Sequence, residues 1–531
     1  MSLEPSLLAA LSAREFSVRL IPHRTVYPEI LSHTVDLSAH FAFPAARDFV
    51  HFAVAPGTVL DEVVFEKLDE QINAYGFRDR LKIIEFTSID SVARELLASQ
   101  PLTILLDRTQ LSMALRSLRA LAPFLRRLFA SSVPFQILNP YVFRGPVTGL
   151  QFFGRENEIA TLRAQAHRSF VISGARRSGK TSLLMETKRR LDSAGASDDK
   201  VVYLSFENCG EIADVPRAIF NALSADFDGY RRLAESSRWV YTRNLPRLAD
   251  HLWKYVQLQR QSTRVVRFFF DEYDSVIALE RAHGRPTITS ALREVLARHK
   301  TSGRAKGGEE YRVQFAFSGT PVLYDELLSG GSPMFNFASK LQMNNFDLRT
   351  IEALLTQPLR DLEIRVPDPA NVAQAILEIT GGHPSTTQNL CATLVDEFPN
   401  EHGAEVTRGR VERTALHASF LGEFADSLNH NIAPLGRYIL AQMARSKRAL
   451  FDLEFFMRSA TAHSIRLERP AVSKQLTDLK DSGYMTVVDS AQHLQFKLAI
   501  ATIQQVYRDS DPRDLVPEML AAGQCTRVSS A

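Results

Sequence analysis

The sequence predicts an α/β chain over its first two thirds and an almost all-helical chain after that. Short apolar runs alternate with amphipathic helical patterns up to about Phe346, and from Leu348 onward the apolar spacing is that of helices. A turn-rich stretch, NPYVFRGPVTG from Asn139, breaks the alternation and reads as a linker. At 531 residues the chain exceeds what one hydrophobic core organises, so we read four units. These are an α/β unit over residues 1–137, a core with a parallel sheet over 138–347, a helical unit over 348–430, and helices closed by a hairpin over 431–531.

In the first unit FVHFAVA (from Phe49), LKIIEF (from Leu81) and LTILLD (from Leu102) read as buried strands. VFEKLDEQINAYG, SVARELLAS and MALRSLRALAPFLRRLFAS read as the helices between and after them, which predicts a parallel sheet. Asp107 and Arg108 end a strand, where α/β proteins often place functional groups, but an aspartate there equally caps the next helix. With no nuclease-like acidic pattern, His and Cys dyad or Gly-rich dinucleotide turn, the role of this unit is left open. The stretch from Ser302, SGRAKGG, reads as a mobile surface loop.

Composition excludes several classes. A formal charge of +3, from 63 basic against 60 acidic residues, does not mark a dedicated nucleic-acid or membrane binder. Cys209, Cys391 and Cys525 are odd in number and far apart, which supports neither a disulfide framework nor a zinc site. The N-terminus carries Glu4 ahead of its apolar residues, unlike a secretory signal, and no apolar stretch is long enough to span a bilayer. The reading is a cytoplasmic chain without a membrane partner.

The chemistry concentrates in GARRSGKTS, from Gly174, directly after the apolar run SFVIS. Gly174, Gly179, Lys180 and Thr181 fit GxxxxGK[ST], the phosphate-binding loop. Glycines let backbone amides curl round phosphates, Lys180 brings a point charge to the β- and γ-phosphates, and the Thr181 hydroxyl ligates magnesium. The loop residues Gly174, Ala175, Arg176, Arg177, Ser178, Gly179, Lys180, Thr181 and Ser182 are therefore candidate ATP contacts. Arg176 and Arg177 bring two further charges near the phosphates, either facing solvent or an acid, or sensing the γ-phosphate. Downstream, VVRFFFDEYD sets Asp271 and Glu272 at the end of an aromatic-rich strand. Asp271 suits the magnesium shell, and Glu272 suits the general base that activates water. Two adjacent carboxylates favour hydrolysis over binding alone. VVYLSF (from Val201) and VQFAFSGT (from Val313) supply further strands.

With these motifs the chain resembles the AAA+ and STAND classes of P-loop ATPases, over roughly residues 138–508. The resemblance implies a P-loop NTPase core, a helical lid and a winged-helix-like C-terminal domain. FFGRENEIATL, from Phe152, looks like the segment that borders adenine, which implies that Phe152, Phe153 and Arg155 frame the base. ITGGHPSTTQNLCATLV, from Ile379, resembles the lid turn and places Gly382, His383 and Pro384 near it. The last strand of such cores ends in a γ-phosphate sensor, a role open to Ser318 or Thr320, although a Ser-Gly-Thr strand end is equally a plain turn. Arg293, Arg298, Arg304, Arg349 and Arg360 are all candidates for an arginine finger, so ring assembly stays open.

Two functions follow from the resemblance. One is a STAND-like ATPase switch that couples nucleotide state to domain rearrangement or homo-oligomerisation in signalling or defence. The alternative is an origin-recognition-like ATPase that binds duplex DNA through its winged helix. Between Arg437 and Arg508 there are eleven Lys or Arg against six Asp or Glu, which permits phosphate contacts without demanding them. AVSKQLTDLKDSG, the candidate reading helix, balances Lys474 and Lys480 with Asp478 and Asp481, and this tips the reading toward the switch. A metabolic kinase would need a phosphoacceptor site that the sequence does not display.

Overall fold

The computed structural model of the chain describes residues 6–12, 19–24, 26–44, 47–100, 102–115, 121–193, 199–226, 248–259, 264–302, 311–398, 403–489 and 494–527. Most of the loop expected from Ser302, Arg304 included, lies outside these residues, as do 116–120 within the long helix expected from Met113.

The N-terminal strands are β1 (Arg19–Pro22), β2 (Ile30–Asp36), β3 (Phe49–Val54), β4 (Val59–Leu60), β5 (Lys82–Phe86), β6 (Ser88–Ile89) and β7 (Thr103–Asp107). Five form a sheet in the order β1-β2-β3-β5-β7, and β4 pairs with β6 beside it. The sheet is mixed, not wholly parallel as the alternation predicts. Strands joined through the helices Glu62–Ala74 and Ser91–Ser99 run parallel, whereas β1, β2 and β3 pair antiparallel. The polar Ser32, His33 and Thr34 in ILSHTVD hide β2 from a search for apolar runs.

The central sheet comprises β8 (Ser169–Ser173), β9 (Asp199–Ser205), β10 (Val265–Asp271), β11 (Arg312–Gly319) and β12 (Ala338–Gln342). Its order is β12-β8-β11-β10-β9, with every pairing parallel. All seven positions of β10 are buried, the pattern of a strand covered on both faces. The strand β12 has no counterpart in the sequence reading. ASKLQ is half-buried at the sheet edge and offers too little apolar patterning.

Helices Leu348–Asp361, Pro369–Thr380, Pro384–Asp396, Arg408–Thr414 and Ala418–Asn431 follow. They share one apolar core with a face of the N-terminal sheet, in which Val35, Phe49, Ile83 and Phe129 join Leu354, Leu355, Leu359 and Leu390. Polar ties reinforce it. Arg126 Nε donates to Asp361 Oδ1 at 2.8 Å, Ala42 N–H to the other oxygen at 3.3 Å, and Asn139 Nδ2 to Asp396 Oδ1 at 2.7 Å.

The C-terminal unit has a second core, which Phe424 and Leu428 of the helix Ala418–Asn431 also enter. Helices Pro434–Arg445, Leu453–Ala462 and Arg469–Asp481 precede a hairpin of β14 (Met485–Asp489) and β15 (Leu494–Leu498). Phe451 bridges to Phe496, while β13 (Ile465–Arg466) pairs with β16 (Thr526–Arg527), so the tail is part of this unit.

Candidate nucleotide site

The candidate phosphate-binding loop leaves β8 at Ser173 and enters the helix Lys180–Ser193, so its backbone amides lie at a helix N-terminus. Gly179 has φ +91°, and a Cβ built there meets nothing within 4 Å. The loop thus takes a conformation that favours glycine and leaves open space at its mouth. Ser178 Oγ is buried with no hydrogen-bond partner among the described residues. An orphaned donor beside an open cradle fits a phosphate-bearing ligand. Lys180 is buried, and Nζ donates to the Gly174 and Ala175 carbonyls at 3.1 and 2.8 Å. Burial lowers its pKa, against the pull of Glu272, Asp274 and Asp271.

Those carboxylates arrive because β10 lies one strand away from β8, across β11. Asp271 is buried at the end of β10. Glu272 follows in the left-handed region, at φ +52°, as does Arg177 at φ +61°. Burial first, then repulsion from Asp271, raises the pKa of Glu272, and Lys180 opposes the rise.

The other predicted residues have definite places. Arg176 and Arg177 are exposed and Thr181 is half-buried. The Ser182 hydroxyl accepts from Val147 N–H at 3.0 Å, tying the linker to the loop helix. The hydroxyl of Ser318, fully buried, donates to Asp271 Oδ1, and that of Thr320 donates to Asp274 Oδ1 at 2.9 Å. Arg155 is buried, donates to the Ser178 carbonyl at 3.2 Å and lies over the Phe346 ring at 5.1 Å. It therefore braces the loop. Phe152 packs in the core of the central sheet with Phe170 and Leu183, and Phe153 packs against the core of the helical unit. Of the finger candidates, Arg298 is paired with Glu294 and Asp250, Arg293 lies over Phe337, and Arg349 and Arg360 are exposed.

Gly381, Gly382 and His383 form a turn before the helix that begins at Pro384, and this turn touches three elements. Phe346 N–H donates to the Gly382 carbonyl at 2.7 Å, and Asn345 Nδ2 to the Gly381 carbonyl at 2.9 Å. His383 is buried, caps its helix through Thr386 N–H and stacks on Tyr484 of the C-terminal hairpin, centroids 6.0 Å apart. Its ring lies against the Arg176 backbone, and burial pushes its pKa down to about 4. Thr502 Oγ1 donates to the Ile379 carbonyl at 2.8 Å. Sequence reasoning missed Tyr484 and Thr502, because nothing local marks a residue whose partner lies over a hundred positions away.

No family model and no curated protein matches the chain. Among solved structures it is similar to Aeropyrum pernix ORC2 in ADPNP–ADP complexes, at 15% identity and TM-score 0.45, over 69% of this chain and 95% of that one. It is also similar to the ADP form of that protein, at 15% identity and TM-score 0.36, over 69% and 91%. A third is Aeropyrum pernix ORC1 in complex with DNA, at 13% identity and TM-score 0.36, over 70% and 94%. Likeness this distant assigns no residue a role. Among the described residues no helix is long and apolar enough to cross a membrane.

Proposed function

We propose that the chain binds and hydrolyses ATP with magnesium, and that nucleotide state is transmitted through the helical lid to the units on either side. One observation carries the reading. The strand order brings Asp271 and Glu272 within electrostatic reach of Lys180, whose ammonium bonds the carbonyls of Gly174 and Ala175. In this reading the loop amides and Lys180 bind the β- and γ-phosphates, and Thr181 and Asp271 hold magnesium. The metal supplies charge neutralisation at the transferred phosphoryl group. Glu272, with its raised pKa, takes the proton of the attacking water. Arg155 keeps the loop in shape through Ser178, and Ser318 keeps Asp271 in place.

The switch follows from the turn at Gly381–His383, which faces the loop on one side and the C-terminal hairpin on the other. A nucleotide in the loop alters what His383 faces, and the change reaches the hairpin through Tyr484. Because the lid shares its core with the N-terminal sheet, that sheet moves with it.

A second reading, duplex DNA binding through the winged-helix-like unit, takes support from side chains that face solvent. Lys447, Arg466, Lys474 and Lys497 are exposed, with no ion pair among the described residues. The three solved structures named above are ORC proteins, one of them in complex with DNA, which is the side of this reading, but TM-scores of 0.45 and 0.36 do not carry it.

The test is the solution mass of Glu272→Gln by light scattering, with and without ATP and magnesium, each repeated with a short duplex. Growth in mass with ATP alone supports the switch. A complex of unchanged protein stoichiometry that forms only with DNA, and weakens steeply with salt, supports the second reading. No response to ATP in mass or nucleotide binding refutes the ATPase reading.

A further inference from the structure

The carboxylate of Asp271 is held from both neighbouring strands. The β10/β11 register pairs Phe270 with Phe317 and so brings Ser318 level with Asp271. On the other side β9 pairs Ser205 with Asp271, which puts Tyr203, two residues earlier, on the same face. The Ser318 hydroxyl donates to Oδ1, the Glu272 N–H donates to Oδ1 at 3.1 Å, and the Tyr203 hydroxyl donates to Oδ2 at 3.0 Å. An aspartate's terminal torsion is broad and nearly two-fold, so an untethered carboxylate samples many orientations. Here each oxygen has a protein donor, and the lone pairs left over point in fixed directions.

Ser318 and Glu272 belong to the machinery already described, whereas Tyr203 does not. We propose that Tyr203 is a positioning residue, which orients the Asp271 carboxylate toward magnesium from the outer strand of the sheet. This rests on the reading of the loop as a magnesium–nucleotide site. Tyr203 is half-buried, and its hydroxyl reaches the Asp271 carboxylate from the strand next to β10. Partners of this kind around a metal-holding group typically alter metal affinity by about 10- to 100-fold when removed.

The experiment measures binding of a fluorescent, non-hydrolysable ATP analogue across a magnesium titration that begins in EDTA. Wild type, Tyr203→Phe, Asp271→Asn and the double variant are compared. The magnesium midpoint for Tyr203→Phe rises about 10-fold while affinity in EDTA stays at the wild-type value. In the Asp271→Asn background the loss of the tyrosine hydroxyl has no further effect, because it acts through the carboxylate. A midpoint unchanged in Tyr203→Phe overturns the proposal, as does an equal loss of affinity in EDTA or the same shift in both backgrounds. If wild type binds no analogue under any condition, the nucleotide reading itself falls. If wild type binds with a magnesium midpoint and Tyr203→Phe matches it, only the role of Tyr203 falls.

Discussion

Replacing Gly381 with alanine separates the lid turn from the C-terminal unit. Gly381 has φ +60° and ends the helix Pro369–Thr380, its N–H donating to the Leu377 carbonyl at 2.8 Å. A side chain in this left-handed region costs about 1 kcal/mol. The new Cβ lies 2.8 Å from Ile500 Cγ1 and 2.9 Å from the Ala499 carbonyl oxygen, where ordinary contact begins near 3.4 Å. The Ile500 side chain can turn, but the carbonyl belongs to the backbone, so the hairpin must retreat by about half an ångström. Overpacking of this kind costs about 1–3 kcal/mol. The combined cost of about 2–4 kcal/mol falls on the contacts between the turn and the C-terminal unit, including Thr502 with Ile379 and the His383 ring with Tyr484. Hydrogen exchange reads it directly, because amides in Tyr484–Asp489 and Thr502–Val506 exchange at least roughly 10-fold faster. Helices near Leu354 keep their protection. Wild-type exchange in both C-terminal segments, with an unchanged melting temperature, refutes the idea that this turn holds the hairpin.

Lys180→Ala abolishes the nucleotide-induced rise in melting temperature while leaving a folded protein, since Nζ bonds only loop carbonyls; an unfolded variant would contradict this. Glu272→Gln retains ATP without turnover and is more stable than wild type at neutral pH. Burial and Asp271 raise the folded-state pKa, so the ionised side chain is unfavourable above that pKa, and the advantage of the variant fades as acid protonates the wild-type carboxyl; melting both proteins across pH checks the sign. His383 has a folded-state pKa of about 4 against an ordinary 6.5, so the unfolded chain binds more protons between these values. Its contribution to stability is fully present above pH 6.5 and declines by about 3 kcal/mol as pH falls to 4, a decline that His383→Gln lacks in urea melts.

The candidate phosphate loop and acidic strand stand out in the sequence because the patterns that mark them are local. Glycine at fixed spacing, a lysine and paired carboxylates after an apolar run each carry meaning within about ten residues. What the sequence conceals is pairwise. The strand β12 is half-buried at an edge, so ASKLQ shows no clear alternation. Tyr203 reads as one more aromatic in VVYLSF until the register sets it beside Asp271. Arg155 sits in the segment expected to border the base, yet its guanidinium bonds the loop carbonyl of Ser178. The polar tip at Ser318 is visible as a residue type, but only the strand order shows that Asp271 is its partner.

The lid is held by apolar cores along its helices and by polar contacts at its turn, and the difference decides what a nucleotide can loosen. Toward the N-terminal sheet the contact is apolar, with Phe129, Phe135, Leu138 and Tyr141 sharing one core with Leu354, Leu355 and Leu390. Exposing four large apolar side chains costs roughly 6–12 kcal/mol. Toward the C-terminal unit the Gly381–His383 turn offers a ring stack and the Thr502 to Ile379 hydrogen bond, whereas Phe424 and Leu428 of the last lid helix enter the C-terminal core. Each bond contributes a net stabilisation of only about 0.5–1.5 kcal/mol, because water replaces it on opening. Coupling between a ligand and a distant conformational equilibrium is typically about 1–3 kcal/mol. That is enough to loosen the polar contacts of the turn and far too little to strip either apolar core. A nucleotide-driven rearrangement of this chain therefore acts at the contact between the Gly381–His383 turn and the hairpin, with the apolar contacts of the lid kept on both sides.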